Sequence, residues 1–358
     1  MKRLKFTSVQ FYVLLALICF LHLQCGKSKT QPSLPENPGN ADTFVNPLQS
    51  GADPWVYYKE GFYYYLQTTG NNIRIWKTDA MSKLGSATSQ LVFSPVPGTA
   101  NSRNIWAPEI HYLDHKWYIY YTAGNGDDLS QRTWVLENSS PDPTLGTWTE
   151  KGRIFSSNTD FWAIDGTVMQ YNGIHYFLWS GRPDPANTNL TQNLYISKMV
   201  NPWTLEPQAT MISSPQYAWE KNGFGVNEAP ESLQGPSGRQ FLIYSASFCG
   251  TDDYALGMLT LKASGNPMVS SDWEKNPQPV LTKQPQNKAF GPGHCAFFTS
   301  PDGKETWLIY HANSNSGEGC AEMRNIRIQQ FTFNPSGFPV FQEPVASGLK
   351  VKRPSGER

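Results

Sequence analysis

An all-β chain closed into a five-bladed propeller is the fold predicted here, on three observations. A short aromatic strand recurs five times, each copy follows a turn signal, and long helical periodicity is absent after the N-terminal leader. The strands begin at Phe62 (FYYYLQT), Trp117 (WYIYYTA), His175 (HYFLWSG), Phe241 (FLIYSAS) and Trp307 (WLIYHAN). Their turns are Lys59-Glu60-Gly61, Asp114-His115-Lys116, Asn172-Gly173, Pro236-Ser237-Gly238-Arg239 and Pro301-Asp302-Gly303-Lys304. A hairpin unit repeated about every 60 residues cannot bury its own face and must pack on its neighbours. Residues 43–358 are the expected propeller.

Each aromatic strand has an alternating hairpin partner downstream, at residues 73–76, 133–136, 194–197, 254–258 and 326–329. Proline-rich stretches such as Asn201-Pro202-Trp203 and Asn276-Pro277-Gln278-Pro279 suit edges and outer loops, because proline cannot donate within a central ladder. They mark blade borders.

The N-terminus reads as an export leader over residues 1–25. Lys2, Arg3 and Lys5 precede an apolar run from Phe11 to Leu21, which is shorter than the roughly 20 residues a bilayer span needs. Cys25 at its end is the expected site of lipid attachment in a bacterial envelope, facing the periplasm or the cell surface. Plain cleavage and an uncleaved anchor are the alternatives, since His22-Leu23-Gln24 lacks the small residues that lipid attachment prefers. Residues 26–42, rich in Pro, Ser, Asn and Gly, read as a flexible tether.

Lys plus Arg equal Asp plus Glu at 29 each, which argues against nucleic acid or an anionic membrane as partner. A neutral ligand fits better. With 12 Trp and 17 Tyr the chain has aromatic faces to spare for stacking sugar rings, although most must fill blade cores. Once Cys19 leaves with the leader and Cys25 carries lipid, Cys249, Cys295 and Cys320 remain. A Cys295–Cys320 bridge and buried free thiols are both open.

Four acidic segments lie upstream of the aromatic strands: Asp53 in Ala52-Asp53-Pro54-Trp55, Glu109 in Trp106-Ala107-Pro108-Glu109, Asp165 in Ile164-Asp165-Gly166, and Glu228 in Asn227-Glu228-Ala229-Pro230-Glu231. Their spacings of 56, 56 and 63 residues match the repeat, which predicts equivalent carboxylates in successive blades converging on one mouth. Clustered carboxylates among aromatic residues either bind a hard cation or perform acid and base chemistry, as in glycosidic cleavage.

At these residues the sequence resembles glycoside hydrolase family 43, most closely its exo-acting α-1,5-L-arabinofuranosidases, from about Asn46 to about Phe341. The carriers are ADPWV at Ala52, IWAPEIHYLDHKWYIYYTAG at Ile105, VLENSSPDPTLGTWTEKG at Val135, AIDGTVM at Ala163, NLYISKMVNPWTL at Asn193, VNEAPE at Val226 and GPGHCAFF at Gly291. The resemblance implies a five-bladed propeller that hydrolyses with inversion, releasing terminal arabinofuranosyl units from arabinan or arabino-oligosaccharides. It implies Asp53 as general base, Glu228 as general acid, and Asp165 as the group that raises and orients Glu228. It also implies Arg324 near the sugar, Glu109 as pocket support, His294 beside an axial Ca2+ or Na+, and no organic cofactor.

Trp55, Trp106 and Trp162 flank the acids and are expected to wall a single-sugar pocket. Glu228 and Glu231 are three apart, so strand alternation predicts that only one points inward. Ala229 stands where relatives commonly have Gly, and a positive φ there would strain it. The rival readings are a β-xylosidase or endo-arabinanase of the same family, and a noncatalytic carbohydrate-binding propeller.

Overall fold

The computed structural model describes residues 42–184 and 188–358. The leader, Cys25 and all but the last residue of the tether lie outside the described residues.

Five antiparallel sheets succeed one another along the chain. The first contains Trp55–Lys59, Phe62–Leu66, Ile73–Thr78 and Ser89–Phe93; the second contains Arg103–Leu113, Lys116–Gly124, Arg132–Asn138 and Thr149–Arg153. The third contains Trp162–Tyr171, Ile174–Arg182, Asn193–Asn201 and Thr204–Ser213; the fourth contains Asn227–Gln234, Gln240–Ala246, Ala255–Leu261 and Trp273–Lys275. The fifth is completed across the chain. Phe290–Thr299, Thr306–Asn313 and Asn325–Phe333 take the N-terminal strand Gln49–Ser50 as their fourth neighbour, with Gln49 opposite Ile326. Just ahead of that strand, the Asn46 side chain exchanges two hydrogen bonds with the backbone of Ile328, at 2.8 and 3.0 Å. This closes the ring.

The aromatic segments are the second strands of their blades, and period-two alternation sends their side chains to opposite neighbours. Tyr63 and Tyr65 pack toward the fifth blade with Phe298 and Trp307, whereas Tyr64 and Leu66 pack toward the second with Trp117 and Tyr121. Tyr118 and Tyr120 face the third blade in their turn, meeting Phe177 and Trp179. Tyr176 and Leu178 meet Leu242 and Tyr244; Phe241 and Ile243 meet Leu308 and Tyr310. Every interface between blades is thus filled by one face of each of two aromatic strands. Buried Tyr hydroxyls find partners in backbone and side chains alike, as in Tyr120 to the Pro202 carbonyl at 2.6 Å and Tyr310 to Gln329 Oε1 at 2.9 Å. Truncating one such ring, Trp117→Ala for example, should cost about 3–5 kcal/mol.

Candidate active site

The site grows from one backbone device repeated around the ring. In or just before the innermost strand of each blade an equivalent residue takes the left-handed conformation: Asp53 (φ 56°), Ala107 (42°), Asp165 (54°), Ala229 (47°) and His294 (46°). Each costs an L-residue about 1–2 kcal/mol. The freed N–H is taken up by a polar side chain of the preceding blade in every case. The N–H groups of Asp53, Ala107, Asp165 and His294 donate to His311 Nδ1, Thr68 Oγ1, Thr122 Oγ1 and Ser245 Oγ at 3.1, 2.8, 3.1 and 2.8 Å. Ala229 departs from this pattern by donating to Asp165 Oδ2 at 3.1 Å. Thr68, Thr122, Ser245 and His311 all lie at the ends of the aromatic strands.

This alignment revises the expected register of acids. By conformation Asp53 and Asp165 are equivalent, but their counterparts in the second and fourth blades are Ala107 and Ala229, with Glu228 one residue earlier. Glu109 and Glu231 each follow the left-handed residue by two. They form a separate layer in which burial and then the neighbouring Glu109 push Glu231 well up, and Glu109 Oε2 lies 2.9 Å from His111 Nε2. Both are buried, and neither lines the cavity described next. Of Glu228 and Glu231 only Glu228 lines the cavity, as expected, but strand alternation is not the reason. A bulge between them pairs Glu228 with Ser245 and Glu231 with Ile243, adding a residue that cancels the alternation. Trp55, also two residues past its left-handed neighbour, is a correction as well. Its ring lies 4.7 Å from His111, its Nε1 donates to the Ile110 carbonyl, and it does not line the cavity.

Asp53, Asp165 and Glu228 line one cavity of about 350 Å³, together with Trp106, Trp162, His294 and Arg324. Asp53 is surrounded by donors and positive charge. Thr68 donates to its Oδ2 at 2.6 Å, and Arg324 Nη1 stands 3.1 Å from its Oδ1 with His294 Nδ1 at 3.3 Å. Burial opposes ionisation of Asp53, but interactions led by the Arg324 charge outweigh it and hold the carboxyl well below its ordinary value. Burial pushes His311 down to about 4, so its ring is neutral and its Nδ1 accepts the Asp53 N–H rather than donating to the carboxylate. Arg324 is therefore the principal stabilising charge.

Glu228 has the opposite surroundings. Burial pushes it up to about 7, and the negative charge of Asp53 adds to this. The Tyr254 hydroxyl, donating to Oε1 at 2.8 Å, and the charges of Arg324 and Arg182 pull the other way. Asp165 is likewise raised, by burial and then by Glu228 and Asp53. Two such carboxyls in one desolvated site hold a proton between them.

Sequence reasoning missed Thr68, Tyr254 and His311, as well as Arg182, whose guanidinium lies 3.6 Å over the Trp162 ring and pairs with Asp128. A small polar residue ending each aromatic strand was a visible signal for the first of these. It also left the cysteines open: Cys249 pairs with Cys320, and Cys295 is a buried free thiol.

A propeller whose axial pocket presents one ionised and one protonatable carboxylate has the equipment of a glycoside hydrolase. The chain belongs to the glycosyl hydrolases of family 43, whose pattern it matches over residues 44–339. It is 37% identical over 353 residues to an extracellular exo-alpha-(1→5)-L-arabinofuranosidase of Streptomyces avermitilis, covering 96% of this chain and 71% of that protein. An enzyme with the same description from Streptomyces chartreusis is 38% identical over 275 residues, covering 75% of this chain and 82% of the relative. The crystal structure of an alpha-L-arabinofuranosidase from Lactobacillus brevis superposes with a TM-score of 0.80 at 34% identity, over 86% of this chain and 98% of that one.

Proposed function

We propose that the chain is an inverting, exo-acting α-L-arabinofuranosidase that removes terminal units from arabinan or arabino-oligosaccharides. The observation that carries this reading is the opposite treatment of two carboxylates in one cavity, Asp53 held ionised and Glu228 pushed up to about 7. Asp53 takes a proton from water as that water attacks the anomeric carbon. Glu228 gives its proton to the departing glycosidic oxygen on the opposite side, so the configuration inverts. Solvent exchange then returns both groups to their starting states. Asp165 acts through Glu228: its Oδ2 accepts the N–H of the next residue, and because the two carboxyls share a desolvated site, ionising both at once is opposed. Arg324 orients Asp53 and is available to a sugar hydroxyl, while Trp106 and Trp162 supply apolar wall.

Replacing Glu228 with Gln should lower kcat on arabino-oligosaccharides by about 10³-fold and much less on aryl arabinofuranosides, whose phenol leaves without a proton. Asp53→Asn should lose both activities. Unchanged hydrolysis by either variant overturns its assigned role, and oligosaccharides as the first products from linear arabinan would favour endo action instead. Aryl β-D-xyloside separates the xylosidase reading.

The axial cation is a further part of this reading. Among the described residues no three His, Cys, Asp or Glu side chains are grouped to hold a metal ion, so a Ca2+ or Na+ near His294 would draw most of its shell from water. Calorimetric titration of chelator-treated protein with Ca2+ tests it. Export agrees with the extracellular relatives, and fatty-acid labelling that is lost in Cys25→Ala would establish the anchor.

A further inference from the structure

Two neighbouring loops each deliver one residue to one of the reacting carboxylates. The loop between Gln240–Ala246 and Ala255–Leu261 ends on Tyr254, which donates to Glu228. The loop between Thr306–Asn313 and Asn325–Phe333 ends on Arg324, which pairs with Asp53. Cys249 lies five residues before Tyr254 and Cys320 four before Arg324, and the disulfide between them ties the two loops. Both cysteines line the cavity.

The loops are joined closely around that bond. Asp252 accepts from the Ser316 hydroxyl and from the Gly317 N–H. Gly319 is left-handed at φ 61°, and a Cβ there would come within 3.3 Å of the Gly250 carbonyl. Phe248, beside Cys249, stacks on Phe224 with centroids 4.7 Å apart, extending the wall toward the preceding blade. Arg324 itself has little else to fix it: apart from Asp53, its Nε reaches the Ala321 carbonyl at 3.4 Å, within the same loop.

Building on the hydrolase reading above, we propose that the Cys249–Cys320 disulfide is a positioning element for the reaction, setting Arg324 against Asp53 by anchoring its loop to the loop that serves Glu228. Breaking the bond frees the Arg324 segment to sample positions off the carboxylate. Arg324 must then be reordered each time a sugar binds, which appears mainly in KM.

The test compares the wild-type protein, the Cys249→Ser/Cys320→Ser variant, and wild type reduced with a thiol and then reoxidised, on 4-nitrophenyl α-L-arabinofuranoside. Loss of the bond should lower kcat/KM about tenfold, chiefly through KM, as expected for ordering one or two long side chains. Reoxidation should restore it, which separates positioning from misfolding of the variant. In an Arg324→Lys background the same loss should cost less than about twofold, because the bond acts through that arginine. Equal kcat/KM with and without the bond, or full additivity with Arg324→Lys, overturns the proposal while leaving the hydrolase reading intact. A wild-type protein inactive on every arabinofuranoside overturns both.

Discussion

The two sides of the cavity use the same left-handed turn to opposite electrostatic ends. On the side of the first and fifth blades, Asp53 sits on the turn itself, and neighbouring strands bring it Thr68, His294, His311 and Arg324. On the side of the third and fourth blades, Glu228 precedes the turn, and its nearest ionisable company includes another carboxyl, Asp165. The backbone therefore locates the groups, and the strand ends contributed by adjacent blades decide which of them keeps a proton. A carboxylate in this ring is base or acid according to its neighbours rather than its own identity.

The strongest way to break that contrast is to neutralise the acidic side. Asp165→Asn should lower kcat by about 10²- to 10³-fold, because Glu228 loses the carboxyl with which it shares a proton, although an amide oxygen can still accept the adjoining Ala229 N–H. It should also move the alkaline limb of the pH–rate profile downward; steady-state kinetics from pH 4 to pH 9, roughly the range that brackets carboxylate and histidine titration, checks both. A full-activity Asp165→Asn enzyme would remove the asymmetry from the mechanism.

A gentler change sharpens the contrast. The Tyr254 hydroxyl favours ionised Glu228, which burial pushes up to about 7, so Tyr254→Phe should shift the alkaline limb of the pH–rate profile upward by about one pH unit. Stability follows the same signs. Asp53 is depressed, so its contribution holds above the unfolded carboxylate range and is lost as pH falls through its lowered value. Glu228 is raised, so its contribution is complete below that range and is lost as pH rises through about 7. Thermal denaturation of Glu228→Gln should accordingly show a flatter alkaline decline than the native protein.

The smallest expected effect tests the turn. Ala229 is buried and left-handed at φ 47°, so Ala229→Gly should relieve strain and raise stability by about 0.5–1 kcal/mol in denaturant titrations, with little change in kcat. The same substitution at Ala107, φ 42°, should behave alike. A loss of stability at both would mean that glycine's extra freedom in the unfolded chain outweighs the relief.

Much of this was legible in the sequence because it is local and repeated. FYYYLQT, WYIYYTA and their three counterparts announce strands, and their alternation already contains the two-sided packing of blade against blade. The acids near 53, 165 and 228 were readable as a set because they sit just upstream of those strands. Their relative depth was not. A one-residue bulge between Glu228 and Glu231 resets which face each side chain takes, and nothing in NEAPE announces it. Trp55 shares a motif with Asp53 yet lies in the next layer down, against His111. Tyr254 and the Cys249–Cys320 pairing depend on how loops from different blades meet, which 71 residues of intervening chain do not encode in any short pattern.

The strand Gln49–Ser50 completes the last blade, and Thr43–Val45 pairs with Lys350–Lys352, so the beginning and end of the described chain lie side by side. Joining residues near Thr43 to residues near Lys352 and cutting at another blade border should yield a circular permutant of the described propeller whose seam has moved while its pocket has not. The order in which the blades are synthesised could then be varied independently of the chemistry they surround.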